Sequence, residues 1–182
     1  WPLDTDGNYE NNGNLNSLQS IRPDALTGSA QATTRVGLRA NLQSTAEPIT
    51  GAYVPGAMTS GALSPQFSRS MDVYDAQGSN HRITFNFVKT GPNEWVAEIS
   101  GDPAEIDTIG GAATTDGVLA SGVLRFNPDG SLDKAGSDPA LFNDLDISWA
   151  NQAGSSPIRL QLGSDGGLDG LTQFNTESAL LS

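Results

Sequence analysis

Cysteine is absent from this sequence, so neither a disulfide nor a thiolate metal site can hold the fold, and the redox compartment is left open. Histidine occurs once, at position 81, which rules out any metal set built from several imidazoles. Positive charge is scarce: nine Lys and Arg stand against 21 Asp and Glu, a formal net charge of -12. The cations are scattered singly along the chain with no basic run, which argues against nucleic acid and against an anionic membrane as partners. No apolar run approaches the ~18 residues needed to cross a bilayer, and no charged-then-apolar signal segment is present. The chain opens at Trp1 and is expected to be a piece of a longer polypeptide.

Turn-forming residues are abundant instead. With 21 Gly and 10 Pro against a hydrophobic content of 36%, the composition favours many short strands over long helices. Residues 1–32 are rich in Asn, Asp, Gly and Ser and read as an extended connector. From Thr34 the pattern becomes period two: Val36, Leu38 and Ala40 on one face, Arg35 and Arg39 on the other. Residues 45–66, with Pro48, Pro55 and Pro65 and few large side chains, read as a surface excursion.

The densest strand signal follows. Met71 and Val73 precede a turn, Ile83, Phe85 and Phe87 follow it, and Trp95, Ala97 and Ile99 lie beyond Gly91, Pro92 and Asn93, which predicts an antiparallel meander. Residues 101–117 read as a loop, and Val123 to Phe126 as a short strand closed by the turn Asn127-Pro128-Asp129-Gly130. Leu145, Ile147 and Trp149, then Ile158, Leu160 and Leu162, alternate with polar residues and predict a hairpin. The sum is an all-β fold: a flattened antiparallel β-barrel or β-sandwich of about seven short strands.

Four groups of residues are candidates for chemistry. The stretch MDVYDAQGSNH, residues 71–81, gathers Asp72, Asp75 and His81. Asp75 at the end of a strand, with Gly78 free to take φ > 0, is expected to form an Asx-turn, and His81 to sit where the next strand begins. A zinc or catalytic reading requires His81 to converge with carboxylates or further histidines, and the turn reading is preferred. Asp4 to Asn8 and Asp165 to Gly170 cluster oxygen ligands near glycine, yet neither has EF-hand spacing, and Asp-Gly turns account for both. No G-x-S-x-G elbow and no phosphate-binding glycine motif occurs. Trp95, Trp149, Phe85, Phe87, Phe126 and Tyr74 are placed mostly in the core by their alternation rather than on a sugar-binding face. No catalytic, cofactor or metal residue is therefore assigned, and the chain is read as a non-enzyme.

The order of these features resembles a known family. Val73-Tyr74-Asp75 with Gly78 and His81, then Phe87 to Thr90, then Asn93-Glu94-Trp95, resembles the central segment of bacterial flagellar hook proteins. Leu124, Phe126, Gly130 and Leu132 follow in the family's order, as does Gly170 to Phe174, and Thr34 to Ser44 resembles the entering strand. The family's terminal helical segments have no counterpart here.

The resemblance implies that residues 33–175 are the outer β-domain of a hook subunit. Residues 1–32 would be a connector and part of the adjacent inner β-domain, and 176–182 a return segment towards it. It implies a structural protein of the extracellular hook, exported by the flagellar type III apparatus, that polymerises into a curved tube and transmits torque as a flexible joint. Its partners would be other hook subunits and, through the full-length chain, the rod, the hook cap and the hook–filament junction. The isolated fragment is expected to be monomeric. A carbohydrate-binding or calcium-stabilised secreted β-sandwich module remains the alternative.

Overall fold

The computed structural model describes residues 30–181, so the connector expected over 1–32 lies almost wholly outside the described residues. Thirteen strand segments and one short 3-10 turn at Pro139–Leu141 make up the regular structure among the described residues. An antiparallel sheet is formed by β3 (Phe67–Tyr74), β4 (Asn80–Gly91), β5 (Glu94–Gly101), β8 (Val118–Phe126) and β9 (Leu132–Asp133), in that spatial order. Its first three strands are the meander expected from alternation, with Val73 opposite His81 and Phe87 opposite Ala97.

The second sheet runs β1 (Arg35–Gly37), β11 (Ser155–Gln161), β10 (Asp144–Trp149), β6 (Ile106–Ile109) and β7 (Ala112–Ala113). The hairpin expected around Trp149 and Ile158 is its centre. A small third sheet places β2 (Ala40–Asn41) between β12 (Leu171–Thr172) and β13 (Ala179–Leu180).

The two large sheets bury one shared core. Phe85, Phe87, Trp95, Ile99 and Leu124 from the first meet Leu145, Ile147, Ile158 and Leu160 from the second. Alternation alone predicts these positions, because residues two apart on a strand share a face. Each large side chain moved fully out of water contributes about 2 kcal/mol, which makes this layer the main source of stability.

Four local expectations change. The entering strand is buried at Val36, Leu38 and Ala40 as its periodicity requires, yet it splits into β1 and β2, which pair in different sheets. The stretch 101–117 is not all loop: β6 and β7 extend the second sheet, and Ile106 reaches the core. The strand expected from Val123 begins at Val118. The count of about seven is too low because β2, β7, β9, β12 and β13 are two-residue pairings, too short to show any period.

The excursion at 45–66 also has a function in the fold. It lies over the outer face of the first sheet, where Met58 is buried with Val88 and Val96, and Ile49, Tyr53 and Leu63 pack around them. The first sheet is thus covered on both faces.

Candidate functional site

Residues 71–81 form the turn that the sequence predicts and more. The Asp75 carboxylate accepts from the amides of Gln77 at 2.8 Å and Ser79 at 2.9 Å, and Gly78 takes φ +85° beside it. A Cβ at Gly78 would stand 3.1 Å from the Ala30 side chain, so space as well as backbone angle favours glycine there.

His81 departs from the simple turn reading. Its Nε2 lies 3.1 Å from Asp75 Oδ2 and its Nδ1 2.9 Å from Glu105 Oε2, while the ring stacks on Trp149 with centroids 3.8 Å apart. Asn151 Nδ2 donates to the same Asp75 oxygen at 2.6 Å. Burial pushes the Asp75 carboxyl up, but the donors from Asn151, His81, Ser79 and Gln77 outweigh it and hold the group well below the usual carboxylate range. Sequence reasoning missed Glu105 and Asn151, since each comes from a distant turn and neither carries a local signal.

This geometry is a clamp. Both ring nitrogens of the buried imidazole face carboxylates, so neither is left to serve as a base towards a substrate or as a metal donor. The two carboxylates lie against different nitrogens and do not converge on one point; among the described residues no group of three or more His, Cys, Asp or Glu is placed to hold a metal ion. What the cluster does is tie the β3–β4 turn to the segment before β6 and to the β10–β11 turn.

The remaining candidates resolve as structure. Asp165 Oδ1 accepts from the amides of Lys134 at 2.8 Å and Ala135 at 3.2 Å, and Asp169 accepts from the Ser164 amide at 2.9 Å and its hydroxyl at 2.7 Å. Both are acceptors that shape a turn. Asp4 to Asn8 lie outside the described residues. Trp95, Phe85, Phe87, Phe126 and Trp149 are core residues; Tyr74, at 48% exposure, is the member of the aromatic set that faces solvent.

A second buried carboxylate went unread in the sequence. Glu98, on the outer face of β5 and fully buried, accepts from the hydroxyl of Tyr53, the Gly56 amide at 2.9 Å, and the amide and hydroxyl of Thr59, both at 2.5 Å. Burial, reinforced by the adjoining Glu98 carboxylate, pushes the Tyr53 phenol well above its ordinary range. These bonds fasten the 45–66 strap to the sheet. The available signal was Val88 and Val96: apolar residues on the face opposite Phe87 and Trp95 imply that this face, too, is covered.

Known proteins match this fold in sequence. The family described as Flagellar basal body protein FlaE D2 domain matches residues 41–182. The chain belongs to that family. Curated relatives of this D2 domain are named flagellar hook protein FlgE. The one from Helicobacter pylori is 38% identical over 108 residues, 58% of this chain and 14% of its own length. The one from Escherichia coli is 31% identical over 133 residues, 73% of this chain and 29% of its own length. The D2-domain chain thus spans less than a third of these relatives. A solved 32 kDa fragment of the flagellar hook protein FlgE from Caulobacter crescentus aligns with TM-score 0.54 and 21% identity, covering 69% of this chain and 50% of that one. That likeness shows the shared fold.

Proposed function

We propose that this chain is the outer domain of a flagellar hook subunit, a structural part of a curved extracellular tube that works as a flexible joint. The observation that carries the reading is the D2-domain match across residues 41–182, which includes the whole of the first large sheet and all of the second but its edge strand β1. The internal chemistry supports it. The buried carboxylates of Asp75 and Glu98 are used up in fastening turns and the strap, as a rigid scaffold requires and an open reaction site does not. The domain division proposed is 33–175 for the outer β-domain, with 1–32 and 176–182 leading to an adjacent inner domain. In support, Ala179–Leu180 pairs with β2, so the chain leaves beside the strand by which it enters.

Self-association with other hook subunits, contacts with rod, cap and junction proteins through the full-length chain, and export by the flagellar type III route belong to the same proposal. The absence of native cysteine from this chain supplies a test. Val54, 63% exposed on the strap, replaced by cysteine in the full-length gene should label with a membrane-impermeant thiol dye on living cells. Dye in spots at the filament bases, absent from the parent strain, is the expected result; dye spread over the cell body would overturn the reading.

A further inference from the structure

The His81 clamp offers more acceptors than a neutral imidazole can satisfy. Nε2 lies 3.1 Å from Asp75 Oδ2 and Nδ1 lies 2.9 Å from Glu105 Oε2. An ionised carboxylate only accepts, and a neutral ring carries one N–H, so both contacts are hydrogen bonds only while the ring bears two protons. Among the described residues neither carboxylate has a Lys or Arg partner, which leaves the ring as the cation that both face. The other groups packed there are neutral: Trp149 stacks on the ring and Asn151 donates to Asp75. Arg82, next along β4, pairs outward with Asp72.

The two sides of the clamp are not equal. The Asp75 side chain is fully buried, where it also accepts from Asn151, Ser79 and Gln77, and it has no route to water if it loses a donor. The Glu105 side chain is 42% exposed and can turn to solvent. A ring left with one N–H therefore keeps it on Nε2 against Asp75 and presents a bare lone pair on Nδ1 to the Glu105 oxygen. Two acceptors at that distance repel, and Glu105 is the one free to leave.

We propose that the His81–Glu105 contact is a proton-operated latch, closed while the imidazole bears two protons and open once it gives one up, with Asp75 holding the ring in both states. Imidazole exchanges its second proton between about pH 5 and pH 8, so the latch holds in mildly acidic medium. Its contribution is lost as pH rises through the titration of the ring. The effect is local. Glu105 immediately precedes β6, its carbonyl accepts from the Ala150 amide at 2.9 Å, and its amide donates to the Asp102 carbonyl at 3.0 Å. Opening therefore loosens the junction between the start of β6 and the β10–β11 turn, while the ladders of the first sheet stay closed. On the proposed extracellular reading the surrounding medium sets the latch directly; the device itself needs only the fold.

A single histidine makes the ring resonances unambiguous, so heteronuclear NMR of the isotope-labelled chain tests the latch. As pH is raised from about 5 to 8, both ring nitrogens should begin protonated and Nε2–H alone should remain. Over the same step, hydrogen exchange at the Ala150 amide, corrected for its intrinsic pH dependence, should lose about tenfold or more in protection, while amides of the β4–β5 ladder keep theirs. Two variants separate the latch from general loosening. In Glu105→Gln the side-chain amide can turn its oxygen to a protonated Nδ1 or its nitrogen to a bare one, so protection at Ala150 should stay high across the step. Glu105→Ala has no partner to offer in either state, so protection should be low throughout. A wild-type protection that stays flat through the step, a last proton that stays on Nδ1, the lack of any step in that range, or a pH dependence that survives in either variant overturns the latch. Each of these outcomes leaves the living-cell dye test of the hook reading untouched.

Discussion

The imidazole of His81 lies flat on the indole of Trp149, ring centroids 3.8 Å and planes 8° apart, while its two nitrogens face Asp75 and Glu105. One side chain thereby joins the two large sheets at their common end. Replacing His81 by Phe keeps a ring against Trp149 but strips the buried Asp75 carboxylate of a donor, and should cost about 2 to 3 kcal/mol in urea melts. A double variant with Asp75→Asn should cost less than the two singles together, by about 1 kcal/mol or more. Strict additivity would mean that the clamp does not act as a unit.

Acid should loosen the same clamp. The folded-state pKa of Asp75 is depressed, so its contribution is complete above the unfolded value of about 3.9 and is lost as pH falls from there through the folded value. Stability followed against pH should therefore decline more steeply below pH ~4 in the wild type than in Asp75→Asn. Parallel curves would remove Asp75 from the account.

The strap offers an alkaline counterpart. Because the Tyr53 phenol is raised by burial and by Glu98, its support for the fold is present below the ordinary tyrosine range and lost only as pH rises above it. Subtracting the ultraviolet titration of Tyr53→Phe from that of the wild type should reveal a step well above pH ~10. Glu98→Ala, which leaves the Gly56 and Thr59 donors without their acceptor, should cost about 2 to 3 kcal/mol and make the 45–66 strap the first site of limited proteolysis. Unchanged cleavage would show that apolar contacts alone hold the strap.

Trp95 is fully buried, and its indole N–H donates to Gln173 at 2.8 Å. Trp95→Ala should destabilise the domain by about 3 to 5 kcal/mol, read from denaturant midpoints at constant slope. A loss below about 1 kcal/mol would mean that the surrounding core closes over the vacated space.

At micromolar concentration the isolated chain should be a monomer by light scattering, because a net charge of -12 keeps copies apart. A stable oligomer under those conditions would point to a large apolar interface instead.

The meander was legible because Ile83, Phe85, Phe87, Trp95, Ala97 and Ile99 keep strict alternation and are bounded by Gly and Pro turns. Leu145 to Leu162 were legible for the same reason. The stretch holding β6 and β7 was not, since Ile106 and Ile109 are three apart and Ala112–Ala113 is too short to carry a period. The Asp75 turn was readable as local chemistry from Gly78. The partners Glu105 for His81 and Tyr53 for Glu98 were not, because long-range pairs of single polar residues leave no spacing to recognise. Arg35 and Arg159 likewise become neighbours only through the parallel pairing of β1 with β11.

The most direct measurement is immunogold electron microscopy of the source bacterium with antibody raised against this chain. Gold confined to the short curved segment between cell and filament is the expected result. A hook that stays unlabelled while gold decorates another structure would contradict the account.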